Sequence, residues 1–311
     1  MSKNKNLANA KKAKNDEFYT LYEDIKMECD NYAALFSGKV IYCNFDDPHW
    51  SNFFQYFLDN FTNFGLKKLI ATSISVPALW PGLPLFEVPG KPAYKAEVTD
   101  PAKVEITELP GTGDFRSPEC VQLLQEADIV VTNPAFSLFR EFIALLMKYK
   151  KKFLVLGNQN AFTYKEIFPL IKNNQLWTGV NHRIKEFIQP DGTRKKFGNI
   201  EWFTNLPNSK QNVELFTGKK YYGYEVLYPK YDNYDAINVN KITEIPDDYF
   251  GVVGVPITFL DSYNPKQFEI VKFRKGDDNE DLRIGKDCPY FRILIKRIKK
   301  APADTEQQEK G

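Results

Sequence analysis

Between residues 38 and 168 short apolar runs alternate with segments of helical spacing. Gly38–Asp46 (GKVIYCNFD) is β-branched and apolar, and it leads to Ser51 and a helical stripe of Phe53, Phe54, Phe57 and Phe61. A second run, Leu66–Ser75, follows the break at Gly65, and a third, Lys103–Leu109, ends at Pro110–Gly111. Ser117-Pro118-Glu119 reads as an N-cap, a first-turn proline and an acid favoured by the helix dipole. Ala127–Thr132 (ADIVVT) is the next strand, followed by a helix marked by Leu138, Phe142, Leu145, Leu146 and Tyr149. Lys152–Leu156 is a fifth run, and Thr163-Tyr164-Lys165-Glu166 reads as a capping box opening another helix. Near-continuous apolar strands separated by helices predict an α/β fold with a doubly wound parallel sheet.

In such a sheet the ligand crevice lies beyond the carboxyl ends of the strands. That rule gathers Asn44–Asp47, Asn133–Phe136 and Asn158–Asn160 at one edge. Beyond Leu206 helical periodicity fades, turns become rich in Pro and Asn, and six tyrosines fall between Tyr221 and Tyr234. The pattern therefore divides the chain into an α/β part, 1–206, a smaller region of strands and loops, 207–300, and a frayed tail, 301–311.

Composition narrows the chemistry. The 311 residues are 43% hydrophobic, 26% charged and 15% aromatic, with only two histidines, His49 and His182. Cys29, Cys43, Cys120 and Cys288 have no metal-ligand spacing, so neither a metal site nor a disulfide framework is expected. With no apolar run of membrane length and no signal-like N-terminus, a cytoplasmic protein with no membrane contact is expected. A net charge of +2 does not mark a nucleic-acid binder. Two acid-free basic clusters, in 1–15 and in 292–300, are spaced to follow a phosphate backbone or to lie solvated.

Candidate chemistry centres on Ala127–Arg140 (ADIVVTNPAFSLFR). A strand entering Asn-Pro-x-aromatic fits the aminomethyltransferase pattern of Asp, Asn or Ser followed by Pro-Pro and an aromatic residue. An exocyclic amine is a poor nucleophile because its lone pair is delocalised into the ring. The Asn133 side-chain oxygen and the Pro134 carbonyl would draw its N–H groups toward tetrahedral geometry and stabilise the growing positive charge. Phe136 offers a ring on which an extruded base would stack. Ala135 stands where a second proline is expected. The plain alternative is a strand capped by an ordinary Asn-Pro turn.

The chain further resembles the EcoRI-type adenine-specific (N6) DNA methyltransferases. Matching pieces are Asn15–Thr20 (NDEFYT), Val40–Phe53, Leu69–Thr72, Gly113–Ser117 (GDFRS) and Asp128–Phe142. The match continues through Lys152–Phe168, Asn199–Leu206, Tyr228–Ile237 (YPKYDNYDAI) and Gly254–Phe268. The resemblance implies a Rossmann-like sheet that uses S-adenosylmethionine to methylate a flipped adenine in double-stranded DNA, with 207–300 as the target-recognition region. It implies that Phe18, Tyr19 and Thr20 frame the cofactor. Cys43–Asp47 replaces the usual glycine-rich loop, and Asn44, Asp46 or Asp47 would meet the cofactor's amino-acid end or ribose; capping the Ser51 helix is the alternative. Asp114 and Phe115 would receive the cofactor's adenine, or form a turn before Ser117. No obligate protein partner is inferred, and a cognate restriction nuclease is the one partner the resemblance brings into view. The motif alone leaves open an RNA guanine or a protein glutamine as acceptor. A DNA-binding relative impaired in catalysis also stays open, with Ala135 as its only sequence hint.

Overall fold

The computed structural model describes residues 19–75, 92–181, 184–188, 194–211, 213–274, 282–289 and 292–299. The lysines of 1–15 and Phe18 lie outside the described residues, as do His182 and the side chain of Tyr19. The chain divides into two compact units, 1–208 and 209–311.

The first unit is built on a ten-stranded mixed sheet with the order β1-β9-β10-β7-β6-β2-β3-β4-β5, and β8 pairs with β10. These strands are β1 Tyr19–Thr20, β2 Val40–Asn44, β3 Lys68–Thr72, β4 Tyr94–Val98, β5 Ile106–Glu108, β6 Ile129–Thr132 and β7 Lys152–Asn158. The others are β8 Trp177–Thr178, β9 Ile184–Ile188 and β10 Arg194–Thr204. Its centre, β3-β2-β6-β7, is parallel. Every residue of β2 and β6 is buried, which is why those strands read as unbroken apolar runs.

One face packs Ile41, Cys43, Ile129 and Val131 against Phe53 and Phe57, with Ile25 and Cys29 of the helix Tyr22–Cys29 in the same cluster. On the other face Phe139 and Phe162 pack on Phe203 at ring distances of 4.9 and 5.1 Å. The helix Asn52–Asp59 starts at Ser51, whose Oγ accepts from the N–H groups of Phe53 and Phe54. Ser117 caps Pro118–Glu126 in the same manner. The helix Phe139–Lys148 buries Phe139, Phe142, Ile143 and Leu146, while Leu138, Leu145 and Tyr149 of the expected stripe are half-buried.

Three expectations need correction. The third run is not a parallel strand reached by a crossover: β5 pairs antiparallel with β4, and β4 with β3. β4 (YKAEV) is half polar because it lies near the sheet edge, and its weak apolar pattern hides it in the sequence. The antiparallel β10 likewise joins β7 on the opposite side. Thr163 caps no helix: its Oγ donates to the Asn160 carbonyl at 2.8 Å, closing a 3₁₀ turn, and the helix begins only at Phe168. Finally, the 292–300 basic cluster is not wholly free: Lys296 and Lys299 are exposed and Lys300 lies outside the described residues, but the two arginines have internal partners. Arg292 bonds Asn238 and Asn240, and Arg297 bonds Asp247 at 2.9 Å while lying 4.7 Å from the Phe268 ring centre.

Those arginines belong to the second unit, a four-stranded sheet of order β11-β12-β14-β13. Here β11 is Ile237–Asn238, β12 Val252–Pro256, β13 Phe268–Arg274 and β14 Arg292–Arg297. β14 lies inside the sheet, so its cationic side chains at 292 and 297 are spent on internal partners. Tyr231 lies over Gly254, where a Cβ would come 2.0 Å from its hydroxyl. Tyr221 and Tyr228 are also buried, whereas Tyr222 and Tyr224 are exposed beside Phe216, Val226 and Leu227.

One carboxylate fastens the amino-terminal helix to the sheet margin. Glu28 is fully buried and accepts from the N–H groups of Val180 and Asn181 at 2.7 Å, and from the Tyr32 hydroxyl at 3.0 Å. Burial raises its pKa, and the three donors oppose that rise. Glu28→Ala strands two amide donors in a dry site. Urea unfolding of the variant is expected to show a loss of about 3 kcal/mol, with Glu28→Gln losing less because one acceptor oxygen remains.

Candidate functional site

β2 lies between β3 and β6, so the chain leaves β2 to one side and returns to the other. That reversal makes the carboxyl end of β2 the topological switch point of the sheet. The β2–β6 ladder runs through Ile41–Ile129 and Tyr42–Val130. Beyond it a side chain takes over: Thr132 Oγ1 bonds the Asn44 carbonyl and lies 2.6 Å from Asp46 Oδ2. Asp46 Oδ1 accepts from Ser51 Oγ at 2.7 Å. Asp46, Asn44, Thr132 and Ser51 are all buried, and burial pushes the Asp46 carboxyl up to about 7 against the pull of its two hydroxyl partners.

This cluster fixes the expected cofactor residues around one frame. Asn44 Nδ2 donates to the Tyr42 hydroxyl at 2.6 Å, which is 2.9 Å from Thr72 Oγ1 on β3. Asn52, the first residue of the Ser51-capped helix, donates from Nδ2 to the Thr20 carbonyl at 2.8 Å. Thr20 and the Asn44–Asp47 loop are thus held to the same helix start. Asp47 is buried and accepts from the backbone N–H of His49 at 3.0 Å, with the His49 ring Nδ1 2.8 Å away.

Among the described residues, Asn44 Oδ1 and Thr20 Oγ1 are buried with no hydrogen-bond partner. An orphaned buried polar atom costs roughly 1–3 kcal/mol, so both positions are suited to a polar ligand. An ammonium or a ribose hydroxyl would supply a donor to the Asn44 oxygen. The residues present therefore fit the amino-acid and ribose ends of S-adenosylmethionine.

Aromatic rings close the next side. Phe45 takes a left-handed conformation at φ 68, which turns the chain sharply out of β2. Its ring lies 5.5 Å from Phe115 and 5.1 Å from Phe142. Phe115 is buried, and the Arg116 guanidinium stands 5.0 Å from its centre. Gly113 allows this approach: at φ +70, any Cβ there would come 2.0 Å from the Ser73 carbonyl at the end of β3. Both Asp114 oxygens accept from Arg116, at 2.9 and 2.7 Å, and this guanidinium holds the carboxyl below its usual range. Arg116 also donates to Glu141 at 2.8 Å, tying this turn to the helix that follows the Asn-Pro segment.

Asn133 follows Thr132 directly, so the hydroxyl clamp on β6 sits one residue before the expected amine acceptor. Asn133 and Phe136 are half-buried, and Pro134 is buried. Phe136 packs against the main core cluster and opens a 3₁₀ turn, with Leu138 N–H donating to the Ala135 carbonyl at 2.9 Å. Beyond β7, Asn158 Oδ1 accepts from Asn160 N–H and from Asn199 Nδ2, while Gln159 Nε2 is buried and unpartnered. Thr132 and Asn52 had escaped the sequence reading. Their signal is a polar residue closing an apolar strand before Asn-Pro, and an amide just after an N-cap. Among the described residues no group of His, Cys, Asp and Glu is placed to hold a metal ion, and no helix is long and apolar enough to cross a membrane.

The family model described as "Adenine-specific methyltransferase EcoRI" matches residues 6–308. The Type II methyltransferase M.EcoRI of Escherichia coli is 49% identical over 318 residues, covering 94% of this chain and 96% of that protein. The Type II methyltransferase M.MpnI of Mycoplasma pneumoniae is 44% identical, with 84% and 83% covered. M.MgeORF184P of Mycoplasma genitalium, also a Type II methyltransferase, is 43% identical, with 93% and 97% covered. No solved structure matches the chain.

Ala135 has φ −53 and ψ 123, within the range proline imposes, and among the described residues its N–H makes no backbone hydrogen bond. Ala135→Pro is therefore expected to raise unfolding stability by about 0.4–1 kcal/mol and to keep or raise methyl transfer. Melting curves and initial rates check this, and a large rate loss refutes the fit.

Proposed function

The chain belongs to the EcoRI family of adenine-specific methyltransferases and is a site-specific DNA adenine methyltransferase, and on that premise we propose that Asn133 and Pro134 activate the N6 amine of a flipped adenine for attack on S-adenosylmethionine. The observation that supports this assignment is the placement of Asn133 directly after Thr132, at the switch point, beside the loop that holds the orphaned Asn44 oxygen. When bound, S-adenosylmethionine supplies an electrophilic methyl group on a sulfonium.

The residues of the chain do the rest. Asn44 and Asp47 take the amino-acid and ribose end of the cofactor, with the Thr20 hydroxyl in the same frame and Tyr19 and Phe18 beside it in sequence. Asp114 and Phe115 border the adenine end. Because Arg116 occupies both Asp114 oxygens, a bond from Asp114 to the cofactor's amino group requires sharing or exchange of that partner. Asn133 Oδ1 and the Pro134 carbonyl accept the two amine N–H bonds, localising the lone pair before attack and stabilising the ammonium that forms. Phe136 stacks on the extruded base, and the Gln159 amide offers a donor to a ring nitrogen. After transfer the amine is acidic and gives up its proton without a strong base.

Residues 207–300 act as the target-recognition region, and DNA is the partner. The second unit exposes Phe216, Tyr222, Tyr224, Val226 and Leu227, with Lys219 and Lys220 also exposed in the same segment. Aromatic and cationic side chains in one exposed segment suit stacking and phosphate contact. Since Arg292 and Arg297 serve the fold, electrostatic affinity falls to lysines such as these.

Labelled S-adenosylmethionine with unmethylated duplex DNA, RNA or protein tests the reading. Label in N6-methyladenine at one repeated DNA sequence is expected, and label confined to RNA or protein overturns it. Asn133→Ala is expected to abolish transfer while leaving cofactor affinity within a few fold. An unchanged rate would show that the amine acceptor lies elsewhere.

A further inference from the structure

Ser51, Asp46, Thr132 and the Asn44 carbonyl are joined by three contacts, while the two hydroxyls among them supply only two protons. Ser51 Oγ accepts from Phe53 and Phe54 as the helix cap, so its single proton is directed to Asp46 Oδ1, 2.7 Å away. Thr132 Oγ1 has one proton and two oxygen neighbours, the Asn44 carbonyl and Asp46 Oδ2. A carbonyl never donates. If the Thr132 proton serves Asn44, the 2.6 Å contact with Asp46 lacks a proton unless the carboxyl provides one. All three contacts carry a proton when Ser51 O–H donates to Asp46 Oδ1, Asp46 Oδ2–H to Thr132 Oγ1, and Thr132 O–H to the Asn44 carbonyl.

We infer that Asp46 is a neutral, proton-bearing positioning residue, and that its proton joins the cofactor loop to the strand end carrying Asn133. The inference rests on the reading of Asn133 as the amine acceptor. Of the three residues the resemblance offers for cofactor contact, it removes Asp46 and leaves that work to Asn44 and Asp47.

The surroundings support the neutral form. Its two side-chain partners are both hydroxyls, and the carboxyl is 6% exposed. On β2 the titratable neighbour is Cys43, whose thiol burial holds protonated. On its own loop Asp47 and His49 engage each other. From β6 and the start of the Ser51-capped helix, the hydroxyls of Thr132 and Ser51 reach it among the described residues. Burial pushes this carboxyl up to about 7, against roughly 4 in an unfolded chain. Loss of the proton leaves the Thr132 hydroxyl with two acceptors and one hydrogen, and either the loop or the strand end must shift.

The sign of the stability effect follows. A raised folded-state pKa contributes stability that is present below about 4 and is lost as pH rises through about 7. Asp46→Asn keeps a donor at Oδ2 and an acceptor at Oδ1 but has nothing to titrate. Full-length wild type and Asp46→Asn are therefore compared by urea unfolding from pH 5 to 8. The wild type is expected to lose stability relative to the variant by up to tenfold in the unfolding constant per pH unit, levelling off above about 7. A pH-independent difference means that Asp46 is ionised throughout and overturns the inference. Should Asp46→Asn not fold, the carboxyl resonance of Asp46 in wild type labelled with ¹³C-aspartate decides. An inflection near 7 supports the neutral form, and one near 4 refutes it.

Turnover gives the positioning readout. The wild-type kcat/KM is expected to fall on the alkaline side of a midpoint near 7 that Asp46→Asn lacks. Asp46→Ala is expected to lower kcat on the order of a hundredfold, with most of that loss restored in Asp46→Asn. Equal losses in the two variants, expressed in KM for the cofactor, would identify Asp46 as an anionic cofactor ligand instead. Unfolding and resonance require no turnover, so a protein that transfers no methyl group to DNA refutes the function while the titration still judges Asp46.

Discussion

Two parallel strands that diverge at their carboxyl ends leave peptide groups in a dry interior with no ladder to bond them, and buried groups of that kind need partners. At the β2–β6 junction the partner is a side chain, Thr132, whose hydroxyl reaches across to the Asn44 carbonyl. The rest of the site follows from that bond. Thr132 fixes the start of the Asn133 segment, Asp46 couples it to the cap of the Ser51 helix, and Asn52 brings Thr20 to the same point. Asn44, through Tyr42, carries the frame to Thr72 on β3. Residues from four strands thus meet in one network, and displacement of any member moves the others.

The second wall is aromatic. Turning Phe45 into the left-handed region costs of order 1–3 kcal/mol, which neighbours must offset. They do so by burying its ring against Phe115 and Phe142. Arg116 then spans Phe115, Asp114 and Glu141, so the turn before the Ser117 helix and the helix after Asn-Pro share one cation. The role usually filled by a flexible glycine loop is taken here by a strained phenylalanine held by packing. Such a loop has little freedom to adapt, and it must be nearly right before any ligand arrives.

What was legible in the sequence divides along burial. β2, β6 and β7 are covered on both faces, and their apolar runs announce them. β4 (YKAEV) lies near the edge with its polar side chains partly exposed, so its pattern resembles a loop. The caps at Ser51 and Ser117 were readable because their bonds are local. Thr163 also reads as a cap, yet no helix starts behind it until Phe168, and its hydroxyl donates back to the Asn160 carbonyl instead. Arg292 and Arg297 look like free charges in sequence, and only the placement of β14 inside a sheet turns them inward. At the site, residue types were readable and partnerships were not. Asp46 reads as an acid available to a ligand; that both its oxygens are taken depends on Thr132, 86 positions along the chain.

The protonation of that acid matters for the chemistry as well as for the frame. Methyl transfer from a sulfonium to an amine moves a positive charge without creating one. A fixed anion near the donor favours the cation where it begins, and binding that is equally strong before and during transfer adds nothing to kcat. Acceleration requires acceptors that gain strength as charge reaches the amine, and in the proposed assignment the neutral amide and carbonyl oxygens at Asn133 and Pro134 meet that need. A buried carboxylate at Asp46, close to the strand end carrying Asn133, would compete with them for the charge at both ends of the reaction. As a neutral acid it holds the two loops in register through hydrogen bonds alone and leaves the electrostatics to the acceptors aimed at the base. In a chain with two histidines and a net charge of +2, the β2–β6 junction is thus held by oxygen-to-oxygen contacts, and the ion pairs of Arg116 with Asp114 and Glu141 are kept to the aromatic wall.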